Sequence, residues 1–317
     1  MFIFSARNDR ERECPQLLNL YNLFNFTIAS EIAFPYAATS TRNPDVWIRF
    51  QRFDYNPSLV GERGGPGLWG RATADTFDLR ANGIARYQVR NGCEILIDPF
   101  AGADEQAIRG PLMGIVLAAL LQQRGFLVLH GGVVDFEGQG MALLGDSGMG
   151  KSSLVSFLQR QGAAALSDEL CVVHPDELGR MCVWPVSQAI ALCEDAVLRQ
   201  GIDRHNAQPI RDKFRIFADH YAEKPIPLTR LTALRKSPAG LYWQIPKDNE
   251  KLAVLLRNTY LRSFLNDIGT EKRMHHLQHC INLIRQAEFR IVYRPFEPVD
   301  EADFVQQIKL SFEGASQ

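Results

Sequence analysis

A glycine-rich segment near the middle of the chain has the residue types and spacing that most directly predict chemistry. It places Gly145 and then Gly150-Lys151-Ser152 directly after an apolar run, residues 141–144. Backbone NH groups in such a loop point into one concavity at the start of a helix, where they can surround a phosphate. The pattern therefore predicts a loop that binds the phosphates of a nucleoside triphosphate.

Two side chains of this loop have further predicted roles. Lys151 supplies a positive charge for the β- and γ-phosphates, and the hydroxyl of Ser152 is a candidate ligand of Mg²⁺. The alternative is an ordinary glycine-rich turn, but the apolar run before the loop and the helical spacing of apolar residues after it favour a phosphate loop. ATP or GTP with Mg²⁺ is the implied ligand, and the predicted nucleotide-binding residues are Gly145, Asp146, Ser147, Gly148, Met149, Gly150, Lys151, Ser152 and Ser153.

A pair of acidic residues, Asp168-Glu169, follows the apolar run of residues 163–166. Phosphoryl transfer needs a carboxylate that helps to hold Mg²⁺ and a group that accepts the proton of the attacking hydroxyl. Adjacent acids at the end of a strand could supply both, whereas without a phosphate loop they would be a solvated pair. Asp168 is the candidate metal ligand together with Ser152.

A histidine, His130, interrupts an apolar strand just before two glycines. Taken alone, such a histidine is more often a hydrogen-bonded core residue than a catalytic one. If its strand lies beside the strand that precedes the phosphate loop, the imidazole could approach the γ-phosphate.

Residues 126–174 resemble one known family. The sequence from His130 through Gly145-Asp-Ser-Gly-Met-Gly-Lys-Ser152 is similar to the segment of bacterial HPr serine kinase/phosphorylase that runs from its catalytic histidine through its phosphate loop. The family's Asp-Asp pair aligns without a gap on Asp168-Glu169. The resemblance implies an α/β fold with a P-loop kinase core of the HPr kinase/PEP carboxykinase-like type.

The resemblance also implies roles for individual residues. His130 would orient or neutralise the transferred phosphoryl group, Lys151 would bind it, and Glu169 would accept the proton while Asp168 organises Mg²⁺ or its water. The roles of the two acids could be exchanged. Glutamate at 169 departs from the family's aspartate by one methylene, which is compatible with kinase chemistry and puts the reverse phosphorolysis in doubt.

The strand-rich front of the chain and residues 255–260 resemble HPr-kinase-related proteins of peptide-modification systems, including tailoring kinases of lasso peptide precursors. The predicted function is therefore an ATP-dependent serine kinase acting on a peptide or small protein. Three alternatives stay open: a nucleotide-binding regulatory or scaffold protein without phosphotransfer, an NTPase that transfers phosphate to water, and a bifunctional HPr kinase/phosphorylase.

The secondary-structure pattern predicts a strand-rich N-terminal domain, residues 1–103, and a catalytic nucleotide-binding domain, residues 104–317. Residues 56–70 are rich in glycine and proline and are predicted to form a loop. Further predictions are a strand over 23–29, a helix over 104–124 disturbed at Pro111, helices over 187–200, 250–267, 271–286 and 300–312, and strands over 231–235, 241–245 and 289–294.

Composition limits the partners of the chain. A net charge of −1 gives no general attraction to nucleic acid or to an anionic membrane, and 46% hydrophobic residues suffice for a sizeable core. The six cysteines are scattered without a CxxC pair, and residues 1–12 are charged rather than apolar. We expect a cytoplasmic protein with neither nucleic acid nor membrane as partner, and self-association stays open.

Charged residues outside the motif are weaker candidates. Lys213, Arg215 and Arg257 could contact a phosphate or a substrate carboxylate, although each is more often an ordinary surface charge. His275 and His279, with His276 between them, have the one-turn spacing of a metal-binding helix, but the sequence does not show a complete zinc site. They are predicted to lie on a solvated helix face rather than in a zinc site.

Overall fold

A computed structural model describes residues 18–34, 38–55, 61–136, 138–187, 189–203, 205, 207–210, 213–217, 220–222, 224–297 and 299–313. The charged N-terminal segment, residues 1–12, and the first part of the predicted loop, residues 56–60, lie outside this description. The fold is mixed α/β with several sheets.

The described chain packs as two compact units. Unit 1 contains the residues up to Phe126 together with Leu261–His276, and unit 2 contains Leu127–Tyr260 and the residues from Leu277 onward. The division into domains 1–103 and 104–317 stays a prediction, because compact packing does not show where an independently folding catalytic domain begins.

Unit 1 is built on a nine-stranded sheet with the order β3-β1-β2-β4-β9-β8-β7-β6-β5. Strand β2 pairs in parallel with β4, and β4 in parallel with β9. The strands are β1 Asn19–Leu23, β2 Phe26–Ser30, β3 Ala38–Thr39, β4 Val46–Phe50, β5 Gly61–Gly65, β6 Leu68–Ala72, β7 Thr76–Ala81, β8 Ala85–Arg90 and β9 Glu94–Pro99.

A helical segment follows the sheet in unit 1. It consists of α1 Glu105–Pro111, a π-helical turn Leu112–Val116, and α2 Leu117–Gln123. The π-helical turn begins directly after Pro111, because proline has no NH to donate and its ring clashes with the preceding turn. The helix with a disturbance at this proline was therefore predicted correctly.

Unit 2 contains the remaining strands and most of the remaining helices. They are β10 Leu127–Phe136, β11 Gln139–Leu144, α3 Lys151–Arg160, β12 Ala164–Ser167, β13 Leu170–Pro175, β14 Met181–Trp184, β15 Ala189–Leu192, α4 Glu194–Arg199, β16 Ala207–Ile210, β17 Lys213–Phe217, β18 Ile226–Lys236, β19 Tyr242–Gln244, α5 Asp248–Arg257, α6 Thr270–Gln286, β20 Glu288–Arg294 and α7 Glu301–Glu313. The first turns of α6 belong to unit 1, as does a short 3₁₀ turn, Arg262–Phe264.

Two long strands, β10 and β18, each take part in two pairings along their length. The first half of β10 pairs with β13, and its second half pairs with β11 and β12. The start of β18 pairs with β14, and the rest lies between β11 and β20, parallel to both. Because parallel strands end at the same edge of a sheet, the loop after β11 lies at the carboxyl edge of β11, β18 and β20.

Side chains of β11 alternate between two hydrophobic clusters of unit 2. Ala142 and Leu144 face a cluster with α5 and the second half of α6, whereas Met141 and Leu143 face α3 and α7. All four side chains are at most 2% exposed. The strand is buried on both faces, which explains its continuous apolar sequence.

Several sequence predictions were wrong. The predicted strand 23–29 is a hairpin of β1 and β2, with Phe24 and Asn25 at positive φ. The described part of the predicted loop 56–70 contains β5 and the start of β6, because the pairing of β5 with β6 and of β6 with β7 overrides the glycine content. The predicted helix 187–200 begins as β15, which pairs with β17, and only its end is α4.

Two helix predictions also differ from the structure. The predicted helix 250–267 ends at Arg257, where the backbone turns to meet β10. The predicted solvated face of α6 is wrong for His276 and His279, which are 7% and 4% exposed. Burial lowers the pKa of His276 to about 4, so its ring is neutral. Within the described residues, no helix is both long and apolar enough to span a membrane.

Candidate active site

The glycine-rich segment forms a tight loop between β11 and α3. Gly145, Gly148 and Gly150 have φ angles of 144°, 80° and 90°, in the region that favours glycine. A Cβ atom at Gly145 would lie 2.9 Å from the carbonyl oxygen of Leu234 on β18. The loop therefore combines backbone conformation and close packing that other residues could not adopt without strain.

Lys151 is buried at the first position of α3, with 6% of its surface exposed. Its Nζ atom donates to the carbonyl oxygens of Gly145 at 2.6 Å and of Asp146 at 3.0 Å. Burial lowers the pKa of Lys151, while the negative charges of Asp168 and Asp146 oppose that shift. The ammonium group is thus held inside the loop.

Asp168 lies in the turn between β12 and β13 and is 9% exposed. Its Oδ2 atom accepts a hydrogen bond of 2.8 Å from the backbone NH of Ala191, and its buried Oδ1 atom has no hydrogen-bond partner among the described residues. Burial raises its pKa to about 6, opposed by the hydrogen bond from Ala191 and by the nearby Ser152 hydroxyl. An orphaned buried carboxylate oxygen beside Ser152 can accept a further donor or a cation.

Glu169, the next residue, is exposed. Its carboxylate Oε1 accepts a hydrogen bond of 2.6 Å from the Tyr260 hydroxyl, and its backbone carbonyl accepts from the NH of Gly131 at 3.0 Å. The adjacent acids therefore have different environments: the carboxylate of Asp168 is enclosed, whereas that of Glu169 is open to an incoming molecule.

His130 lies where β10 changes partners, opposite Leu170 of β13 and directly before Gly131, which pairs with Leu144. Its half-buried ring lies 5.9 Å from that of Tyr260 between centroids. Burial lowers the pKa of His130, as does the charge of Lys151, and Glu169 opposes both effects. The strand carrying His130 does lie beside the strand that precedes the loop, as its proposed role requires.

The three cationic side chains predicted outside the motif, Lys213, Arg215 and Arg257, differ in their contacts. The Arg257 Nη2 atom lies 2.6 Å from Oδ2 of Asp146, and both side chains are exposed. The charge of the exposed Lys213 contributes to lowering the pKa values of His130, Lys151 and Asp168. Arg215 is half-buried in β17 opposite Ala191, and its predicted phosphate contact stays a prediction.

Three further residues contact the candidate site but were not predicted from the sequence as site residues. The Asn258 side chain accepts a hydrogen bond of 3.0 Å from the NH of Gly145, Tyr260 donates to Glu169, and Nη1 of Arg294 lies 3.3 Å from the carbonyl oxygen of Met149. A Cβ atom at Gly150 would approach the Arg294 guanidinium to 2.7 Å. The similarity of residues 255–260 to related proteins was the one sequence signal for Asn258 and Tyr260.

The arrangement fits a phosphate group with a divalent cation. The loop combines glycines at positive φ with a buried lysine at a helix N-terminus, which suits an anion. Ser152 and the orphaned oxygen of Asp168 offer oxygen ligands of the kind that Mg²⁺ prefers. Within the described part of the chain, no cluster of three or more His, Cys, Asp or Glu could hold a metal alone. A cation here would also need oxygens from phosphate or water.

Comparison with known proteins gives little guidance. No protein-family model matches the chain, and no curated protein matches its sequence. Among solved structures, the Hpr(Ser) kinase/phosphatase from Coxiella burnetii is similar, with a TM-score of 0.32, 12% sequence identity and coverage of 59% of this chain and 93% of that chain. A likeness this distant carries no argument about function, which is therefore argued from the site.

Proposed function

We propose that the chain is an ATP-dependent kinase that transfers the γ-phosphoryl group to a serine hydroxyl of a peptide or small protein. The observation that carries this proposal is the pairing of a buried lysine in a glycine-rich loop with two acids in contrasting environments. Lys151 and Asp168 are buried, while Glu169 is exposed. A protein that only binds nucleotide has no need of an accessible proton acceptor beside the loop.

The proposal divides phosphate binding, cation binding and proton transfer among different residues of the site. The backbone of the loop and Lys151 hold the phosphates of the ATP substrate, and Ser152 with Asp168 holds Mg²⁺, which neutralises charge on the phosphates when bound. Glu169 accepts the proton of the serine hydroxyl as its oxygen bonds to the γ-phosphorus. The bond from that phosphorus to the β–γ bridging oxygen breaks, and ADP leaves.

The imidazole of His130 and two cationic side chains are also assigned roles in binding the substrates. Burial keeps the His130 ring neutral at neutral pH, so it can donate a hydrogen bond to a phosphoryl oxygen without repelling Lys151. Lys213 and Arg257 are assigned to the phosphates or to a carboxylate of the acceptor. The preference for ATP over GTP and the peptide nature of the acceptor rest on the sequence resemblance.

The test of this function is the substitution Glu169→Gln, which keeps the size of the side chain and removes its basicity. We expect transfer of labelled γ-phosphate to an acceptor peptide to fall by about 10²- to 10⁴-fold, the usual contribution of a general base. Because Glu169 does not belong to the phosphate loop, the affinity for ATP should change little.

The matched control is Glu177→Gln, a change of an exposed glutamate in the turn between β13 and β14. It should transfer phosphate as the unchanged protein does. Equal transfer by Glu169→Gln and the control would contradict the role of Glu169. Tight ATP binding without transfer to any peptide would favour the nucleotide-binding regulatory protein instead.

A further inference from the structure

The last residue of α5 and the three residues that follow it, Arg257–Tyr260, contact both the loop and β10. The Arg257 side chain pairs with Asp146, and the Asn258 side chain accepts a hydrogen bond from the NH of Gly145. The carbonyl oxygen of Asn258 accepts a hydrogen bond of 2.6 Å from the NH of His130. Residues 257 and 258, just before Tyr260, are thus hydrogen-bonded both to the glycine-rich loop and to His130.

Tyr260 donates hydrogen bonds from both its backbone and its side chain. Its backbone NH donates to the carbonyl oxygen of Val128 on β10 at 3.0 Å, while its hydroxyl donates to Oε1 of Glu169 at 2.6 Å. Burial and the negative charge of Glu169 raise the pKa of Tyr260 well above its ordinary value. The hydroxyl therefore stays protonated, and remains a donor, throughout the neutral pH range.

Glu169 needs such a partner, because an exposed glutamate side chain samples many rotamers and a general base must be oriented toward the proton that it accepts. We propose that Tyr260 is a positioning residue, whose hydroxyl holds Oε1 of Glu169 and leaves Oε2 for the hydroxyl of the acceptor. This inference rests on the proposed function, since it assigns Tyr260 a part in the same proton transfer.

The kinetic test uses Tyr260→Phe, which removes only the hydroxyl. We expect kcat for peptide phosphorylation to fall on the order of 10-fold, less than the ~10² that a 1 Å misplacement can cost, with ATP affinity unchanged. The control Tyr242→Phe removes a hydroxyl that is bonded to Ser237 and should retain full activity.

A double-mutant cycle separates positioning from structural support. If Tyr260 acts through Glu169, adding Tyr260→Phe to Glu169→Gln should leave the residual rate unchanged. A further 10-fold loss in the double variant would overturn the inference, because a structural defect lowers the rate in either background.

The contact itself can be measured without activity, by NMR of the protein with ¹³C-labelled tyrosine ring carbons. The Tyr260 signal, assigned by its loss in Tyr260→Phe, should have a different chemical shift at neutral pH in Glu169→Gln than in the unchanged protein, because the hydroxyl then loses a charged hydrogen-bond acceptor. An identical chemical shift in both proteins would overturn the inference. Absence of peptide phosphorylation by the unchanged protein would instead contradict the proposed function, and the chemical shift would still decide the contact.

Discussion

At the scale of single residues, burial assigns different properties to two adjacent acids. Asp168 is enclosed at the end of β12, and its pKa is raised to about 6, while Glu169 is exposed and hydrogen-bonded to Tyr260. A group that serves a cation benefits from a fixed, enclosed position, whereas a proton acceptor must be reachable by the acceptor substrate. Under the proposed function, these environments favour Asp168 for Mg²⁺ and Glu169 for the proton, an assignment that the sequence left open.

The raised pKa of Asp168 makes a prediction about stability. The folded protein holds this proton more tightly than the unfolded chain, for which the ordinary pKa is 3.8, so the cost of burial to stability grows as pH rises from 3.8 to about 6 and is constant at higher pH. The full penalty above that pH is about 3 kcal/mol, from a shift of about two pKa units. Asp168→Asn should therefore gain about 2 kcal/mol relative to the unchanged protein between pH 4 and pH 7.

The measurement is urea unfolding of both proteins at the two pH values. An asparagine can still accept the hydrogen bond from the NH of Ala191, so the substitution changes the charge and little else. Asp54→Asn, a change of an exposed aspartate, serves as the comparison. A stability difference for Asp168→Asn that does not depend on pH would show that Asp168 ionises as a surface carboxylate does.

At the scale of elements, the site depends on how closely α3 packs against β10. A Cβ atom on Gly132 would lie 2.5 Å from Cγ2 of Val155, a buried side chain of α3. The strand that carries His130 can therefore approach the helix that begins with Lys151 because position 132 has no side chain. Gly131 serves a different contact, because a Cβ atom there would lie 2.8 Å from the carbonyl oxygen of Leu143 on β11.

Because positions 132 and 155 are so close, we expect the effects of substitutions at these positions on stability to depend on each other. Gly132→Ala should destabilise the protein by about 1–3 kcal/mol through overpacking. In the background of Val155→Ala, which removes the conflicting methyl groups, the same substitution should cost at least about 1 kcal/mol less. Thermal unfolding of the four proteins measures the coupling, and simple additivity of the two losses would contradict the packing argument.

The elements around the glycine-rich loop were predictable, whereas several others were not. The run 141–144, the glycine loop and the helix from Lys151 are contiguous in sequence, and their local pattern is unambiguous. By contrast, β15 was mistaken for a helix, since a four-residue strand has too few residues to show a period. Its backbone supplies the NH of Ala191 that binds Asp168, so this error concealed part of the site.

At the scale of the whole molecule, the helical segment after the first sheet belongs to unit 1. The Tyr87 hydroxyl donates to the carbonyl oxygen of Ile108 at 2.8 Å, and Ile108, Leu112 and Leu120 are at most 1% exposed. The boundary at residues 103 and 104, predicted from sequence, would separate these helices from the sheet against which they pack.

Two fragments of the chain test whether α1 and α2 need the sheet of unit 1. A chain of residues 104–317 retains the apolar faces of α1 and α2 but lacks β8, whereas a chain of residues 127–317 lacks both helices and sheet. We expect the longer fragment to bind more of a hydrophobic fluorescent dye and to aggregate at a lower temperature, because it exposes apolar surface. Equal dye binding would indicate that the helices do not need the sheet of unit 1.

The sequence by itself determined the glycine-rich loop between a strand and a helix, because this is a local pattern of residue type and spacing. It also supplied the acid pair and the histidine as candidates for the proposed chemistry. Only the tertiary structure decided which acid is enclosed, and which distant residues meet the loop. Asn258 and Tyr260 lie far along the chain from Gly145 and Glu169, and strand pairing together with the end of α5 brings them together. Burial and long-range contacts depend on the packing of the whole chain, so no local pattern contains them.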